Sequence, residues 1–284
     1  MTADPAAAQR EQARDWGRTR LAASPWASVE HRLTLLLVDP PTDEWASPVP
    51  LCALWLAVDG PEVPALPSEL REPLLRDGSV HEPTPADVLG AESTASPSTR
   101  ISVFRLDRLE GLIAGVGVRS LEARWSVRHG TAIHDPLRRH EAMSGAAARL
   151  PEGGMERAVR PLFVQACLTL AAVQALDPAR AAGAVVALGE AAAAVTRLAC
   201  VIEEGSHPPA QWLLPAARTT ELGARLASWL DDIGPALGGE QPAAARVIDG
   251  CAGIRRAVEA AVRPEFSRAA WFQSPDTWAL RPPR

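Results

Sequence analysis

The chain has 284 residues, 47% of them hydrophobic and 22% charged, with a formal net charge of -5 from 29 basic and 34 acidic side chains. That is enough apolar material for two modest domains with cores of their own, and the acidic balance disfavours a phosphate backbone or an anionic membrane as partner. Every basic side chain is arginine, and lysine, asparagine and tyrosine are absent, which excludes Schiff-base chemistry, a P-loop lysine, a tyrosine general acid and an N-glycosylation acceptor.

Asp4-Pro5 is a helix-start pair, and the alanine- and arginine-rich segment after it predicts a surface helix to about Ala23. This N-terminal stretch is charged throughout and has no apolar centre, so it does not read as an export signal, and the expected location is the cytoplasm. The runs "LTLLLV" (Leu33 to Val38) and "LCALWLAV" (Leu51 to Val58) predict two neighbouring buried strands. Residues 61–99 are rich in proline, serine and acids, with short helical patches, and "RISVF" (Arg100 to Phe104) predicts a third strand. "DRLEGLIAG" and "SLEARWSVRHG" predict helices, the second with Leu121, Trp125 and Arg128 along one side, and Thr131 to His134 an extended piece. Asp135-Pro136 is a second cap pair. Beyond it helical periodicity dominates, in "ERAVRPLFVQACLTLAAVQAL", "PARAAGAVVALGEAAAAVTRLACVIEE", "TTELGARLASWLDDI" and "PAAARVIDGCAGIRRAVEAAV". Later apolar runs are interrupted by a charge, glycine or proline before reaching membrane-spanning length, so no membrane is expected as partner. Cys52, Cys167, Cys200 and Cys251 show no C-x-x-C spacing and read as core thiols.

This order of elements resembles the nucleotidyltransferase superfamily with the polymerase-beta-like fold, in the branch of the bacterial antibiotic nucleotidyltransferases. The words that carry the resemblance are "DEWASPVPLCALWLAV", "LEARWSVRHGTAIHDPLRR" and "GSHPPAQWLLPAARTTELGARLASWL", within a likeness running from Trp26 to Trp278. The resemblance implies an α+β fold, a small mixed β-sheet domain followed by a C-terminal helical bundle. Its domains would be an N-terminal helical arm over 1–25, the nucleotidyltransferase-like domain over 26–148 and the bundle over 149–284. In the family, a Gly-Ser pair closes the first strand, S-D-x-D enters the second, and a third acid lies on a later strand. Here the pair falls on Asp39 and Pro40, the S-D-x-D-L phrase on Ser47, Pro48, Val49, Pro50 and Leu51, and the third acid near Ser102. The resemblance thus implies a degenerate member that lacks the metal-binding aspartates. A two-magnesium site needs several carboxylate oxygens, and proline offers only a carbonyl. No metal ligand and no cofactor is expected, although Asp39, Asp43, Glu44 and Asp59 are placed where a relocated metal site could form.

Three groups of residues invite a functional reading. His129, His134, Asp135 and His140 fit no standard zinc spacing. His134 is a candidate general base if it faces a cleft, while Asp135 reads as a helix cap. "EEGSHPPAQW" combines Glu203, Glu204, His207, Gln211 and Trp212 in one short connection, a mixture that suits a pocket and equally suits a capping loop. Arg119, Arg124, Arg128, Arg157 and Arg160 lie on predicted helices, where guanidinium groups can hold an anion without metal. Trp16, Trp26, Trp271 and Trp278, in terminal segments, read as staples or as partner-facing residues.

These observations support a repurposed, metal-independent enzyme acting on a small molecule in a bacterial biosynthetic or modification pathway, by displacement, cyclisation or elimination of an anionic leaving group. His207, Glu203 and His134 would move protons, and Arg128, Arg160, Glu204, Gln211 and Trp212 would bind substrate. The alternative is a catalytically inactive pseudoenzyme subunit that binds or supports a partner protein in a heteromeric complex. Third comes an active nucleotidyltransferase with displaced metal ligands. Nucleic acid is not an expected partner.

Overall fold

The computed structural model describes residues 11, 14–15, 17–19, 21–22, 26–38, 51–60, 98–176 and 181–275. The expectations for Asp4-Pro5, Trp16, Asp39 to Pro50, the segment 61–97 and Trp278 lie outside these residues. The chain forms two compact units, one bounded by Met1–Gly115 and Ala123–Arg149, the other by Val116–Glu122 and Leu150–Arg284.

The first unit is built on a sheet of β1 (Leu33–Val38), β2 (Leu51–Val58), β3 (Ser98–Arg105) and β4 (Thr131–His134), in the order β3-β2-β1-β4. β1 runs antiparallel to β2, with Leu33 opposite Val58 and Val38 opposite Ala53, and antiparallel to β4 with an irregularity between Leu35 and Leu36. β2 and β3 are parallel, with Trp55 beside Ser102. The continuous apolar run of β1 has a physical cause in this position: every one of its six residues is buried, because both faces of the central strand are covered. Leu33, Leu35, Leu37, Leu54, Leu56, Val58 and Val103 face one way, against Leu21, Trp26 and Val29. Leu36, Ala57 and Phe104 face the other, against α1 (Leu106–Ala114), the end of α2 (Val118–His129) and α3 (Arg139–Ala147), which contribute Leu109, Val127 and Met143. Gly130 makes the turn from α2 into β4 possible, since a Cβ there would stand 2.7 Å from the Ser126 carbonyl oxygen.

The second unit is helical. Its elements are α4 (Gly154–Gln174), α5 (Ala181–Glu204), a 3-10 turn at Ala210–Trp212, α6 (Leu213–Arg218), α7 (Glu221–Arg225), α8 (Ala227–Leu237), α9 (Gln241–Phe266) and α10 (Ala270–Gln273). Buried residues recur at helical spacing, as in Val159, Leu162, Phe163, Ala166, Cys167, Leu170 and Val173 of α4. The α+β class is therefore present as a mixed sheet followed by helices. One expected helix differs: "TTELGARLASWLDDI" is broken at Leu226, whose N–H is shared between the carbonyls of Leu222 and Gly223, so that α7 and α8 are separate.

Cys167, Cys200 and Cys251 are buried free thiols. Burial pushes the Cys251 thiol up to about 11, and it donates to the Val247 carbonyl at 3.2 Å. Within α5, Val185–Glu204 is long and apolar enough to cross a bilayer by composition, with a mean hydropathy of 1.8, and half of it is buried inside the protein. Its inward side, including Leu188, Ala191, Val195 and Leu198, is part of the bundle core. Trp271 of α10 lies against α4 as a staple, its ring 5.6 Å from Phe163 and its Nε1–H donating to Glu156 Oε1 at 2.9 Å.

Candidate functional site

The connection "EEGSHPPAQW" starts where Gly205 ends α5 in the left-handed region, at φ 66°, with a Cβ position only 3.1 Å from the Leu150 side chain. Ser206 and His207 follow, both with no exposed surface. His207 Nδ1–H donates to the carbonyl of Pro208 at 3.0 Å, which leaves Nε2 buried and with no hydrogen-bond partner among the described residues. Burial lowers the imidazole to about 4, the Pro208 carbonyl opposes that shift, and the positive charge of Arg197 adds to it. The ring is therefore neutral at pH 7.

Glu203 turns to another task. Its carboxylate accepts the backbone N–H of Glu221, the first residue of α7, while Thr220 Oγ1 accepts the N–H of Gly223 at 3.0 Å as the N-cap of that helix. Glu204 is half-buried, and with Glu203 it raises the proton affinity of the Cys200 thiol, for which burial is the larger cause. Gln211 is exposed, whereas Trp212 is 2% exposed and belongs to the core. The connection thus brings Glu203, Glu204, His207, Gln211 and Trp212 together in the chain and sends their side chains into different surroundings. Arg160 sits half-buried on α4 of the same unit.

His134 and Arg128 belong to the first unit. His134, on β4, places Nε2 2.9 Å from the carbonyl of Glu30 and ties the sheet edge to the turn before β1. Asp135 accepts from Thr34 Oγ1 and from the N–H of Arg139 through Oδ1, and from the N–H of His140 through Oδ2, each at 2.9 Å. This is the expected capping role, displaced by three residues: Pro136 does not open the helix, and α3 starts at Arg139 after Arg138 adopts φ 52°. His140 Nε2 lies 2.9 Å from the Val127 carbonyl, and the His129 ring packs 4.5 Å from Trp125. Among the described residues no group of three or more His, Cys, Asp and Glu side chains is placed to hold a metal ion.

Arg128 is half-buried near the end of α2, while Arg124, grouped with it by sequence among the arginines that can hold an anion, points inward and is 1% exposed. Its Nε donates to Gly115 O at 3.1 Å, and one terminal nitrogen donates to Ala147 O and Arg149 O, both at 2.9 Å. These carbonyls close α1 and α3, where the helix dipole is negative, so one buried cation serves two helix ends. Burial, and then the neighbouring Arg128, lower its proton affinity. The available sequence signal was its position one turn after Leu121, between Ala123 and Trp125.

On the sheet, Ser102 takes the position expected for the third acid. By alternation it shares a face with Phe104, whose ring lies 5.0 Å from Trp55. Asp59, at the end of β2, pairs with Arg139 at 2.6 Å, and its carbonyl accepts from Arg32 at 2.7 Å. A shallow depression, of about 550 Å³, runs along α3 and is lined by Arg138, Glu141, Ala142, Gly145, Ala146 and Arg149, none of them a candidate residue.

No family model matches this chain. No curated protein matches it either. Among solved structures, a nucleotidyltransferase-like protein from Exiguobacterium sibiricum 255-15 is similar over 95% of this chain and 89% of its own, at 16% identity and a TM-score of 0.37. The α+β class rests on the sheet and helices themselves.

Proposed function

We propose that this chain is a nucleotidyltransferase-like protein that binds or supports a partner protein and performs no nucleotidyl transfer of its own. The observation that carries the reading is the commitment of its candidate proton-transfer groups to the fold. His207 is sealed in the bundle, Glu203 holds the start of α7, and His134 is bonded to the Glu30 carbonyl. General acid-base catalysis needs a group that can reach both substrate and solvent protons. Ser102 and the sequence positions Pro48 and Pro50, where the resembling family has acids, point the same way. A metal-independent reaction at Arg128, Arg160, Glu204, Gln211 and Trp212 is less well supported, because Trp212 is in the core and Gln211 faces solvent.

The test is calorimetry and thermal unfolding of the purified chain with ATP, CTP, GTP and UTP, each with and without magnesium, together with co-expression with the products of the neighbouring genes. The expected result is no nucleotide-dependent stabilisation and a stoichiometric complex by light scattering. Magnesium-dependent stabilisation by any nucleotide overturns the proposal.

A further inference from the structure

We propose that Gly205–Trp212 is an acid-sensitive latch, seated in the bundle while His207 is neutral and released from it when His207 takes up a proton. The geometry that carries this is local to the second unit and independent of the reading above. His207 has no exposed surface, its Nδ1–H is used on Pro208, and among the described residues no group accepts at Nε2. A second proton would place an N–H at Nε2 with nothing to receive it, inside a site that cannot solvate the charge.

The charged surroundings add to that cost. Arg197, from α5, is the ionised group whose field reaches the ring, and it is positive; its own Nε is buried with no hydrogen-bond acceptor among the described residues. The acids of this corner are engaged with other groups. Glu203 binds the Glu221 amide, Glu204 lies with it beside Cys200, and Glu221 on α7 is ion-paired with Arg225. Protonated His207 therefore has one way to be satisfied, which is to leave. The chain around it is suited to a hinged exit, with Gly205 at φ 66° on one side and Pro208 and Pro209 on the other.

Glu203 stays on α5, on the other side of the Gly205 hinge, so its bond to the Glu221 N–H is not part of the release. The sign follows from linkage. The ring's affinity for protons is lowered in the closed segment, to about 4, and is ordinary in the open one, near 6.5. Closure is thus fully favoured above about pH 6.5 and is lost progressively as the pH falls toward 4, by tenfold per unit and by roughly 300-fold in all.

Hydrogen exchange of the full chain between pH 8 and 4.5, corrected for the intrinsic rate at each pH, tests the latch through peptides covering 205–212. His207→Asn is the matched variant, because its side-chain amide can replace Nδ1–H on Pro208 and does not titrate, while Glu203 is untouched. The expected result is a tenfold loss of protection per pH unit below 6.5 in the wild type, absent in the variant. An equal loss in both, or none in the wild type, overturns the proposal. Should His207→Asn fail to fold, the assigned Cε1–H resonance of His207 in the wild type decides: titration near 4 supports the latch, and titration above 6 overturns it.

Discussion

Replacing Arg124 with methionine removes a guanidinium from the interior of the first unit while keeping most of the side chain's volume and apolar contact. Gly115 O, Ala147 O and Arg149 O then lose their donor. A buried acceptor left unpaired costs about 1–3 kcal/mol, more when its partner was charged. Arg149 is exposed and its carbonyl can recover a bond from water, so two full penalties remain, from a half-buried Gly115 and a buried Ala147. Loss of the cation from two helix C-termini adds to them. The expected destabilisation is about 3–5 kcal/mol. Arg124→Lys restores the charge without the planar fork, can serve fewer carbonyls at once, and is expected to lose about 1–3 kcal/mol. The assay is urea unfolding by far-UV circular dichroism at low and high salt. Because the group is 1% exposed, the loss should be nearly independent of salt. A methionine variant within about 1 kcal/mol of the wild type would refute the assignment of Arg124 as the shared cap.

Asp135→Ala removes the acceptor for Thr34 Oγ1–H and for the N–H groups of Arg139 and His140. It should cost about 2–3 kcal/mol in urea unfolding, with Asp135→Asn losing less because one oxygen remains. Two glycines should respond to alanine in opposite directions. At Gly223 the new Cβ would meet the Ala217 carbonyl oxygen at 1.7 Å, a backbone clash expected to cost about 3 kcal/mol or more. At Gly253, exposed within α9 and with nothing within 4 Å of the Cβ position, alanine should stabilise by about 0.5–1 kcal/mol by removing backbone freedom from the unfolded chain. Thermal unfolding midpoints that move in the same direction for the two glycine variants would contradict this packing.

Much of the scaffold could be read locally. "LTLLLV" and "LCALWLAV" form strands over the expected residues, because an uninterrupted apolar run has no amphipathic alternative once both sheet faces are covered, and "TAIH" forms the edge strand. The long helices of the second half were legible from their apolar period, and Asp135 from its short carboxylate beside a turn. The break at Leu226 was not legible. There the Leu226 N–H is shared between the Leu222 and Gly223 carbonyls, a backbone geometry that apolar periodicity does not encode.

The candidate site divides in the same way. Residue type alone marked "EEGSHPPAQW" as rich in chemistry, and composition alone excluded every mechanism that needs lysine or tyrosine. Only the tertiary structure decided what those side chains do. His207 and Gln211 stand four residues apart with similar polarity, yet one has no exposed surface and the other faces solvent. Arg124 and Arg128 share a helix, yet Arg124 is 1% exposed and bonded to three carbonyls. Hydrophobic periodicity is a property of neighbours in the chain, so the sequence expresses it directly. The solvation and bonding of a polar atom depend on groups distant in the chain, and these meet it only after folding.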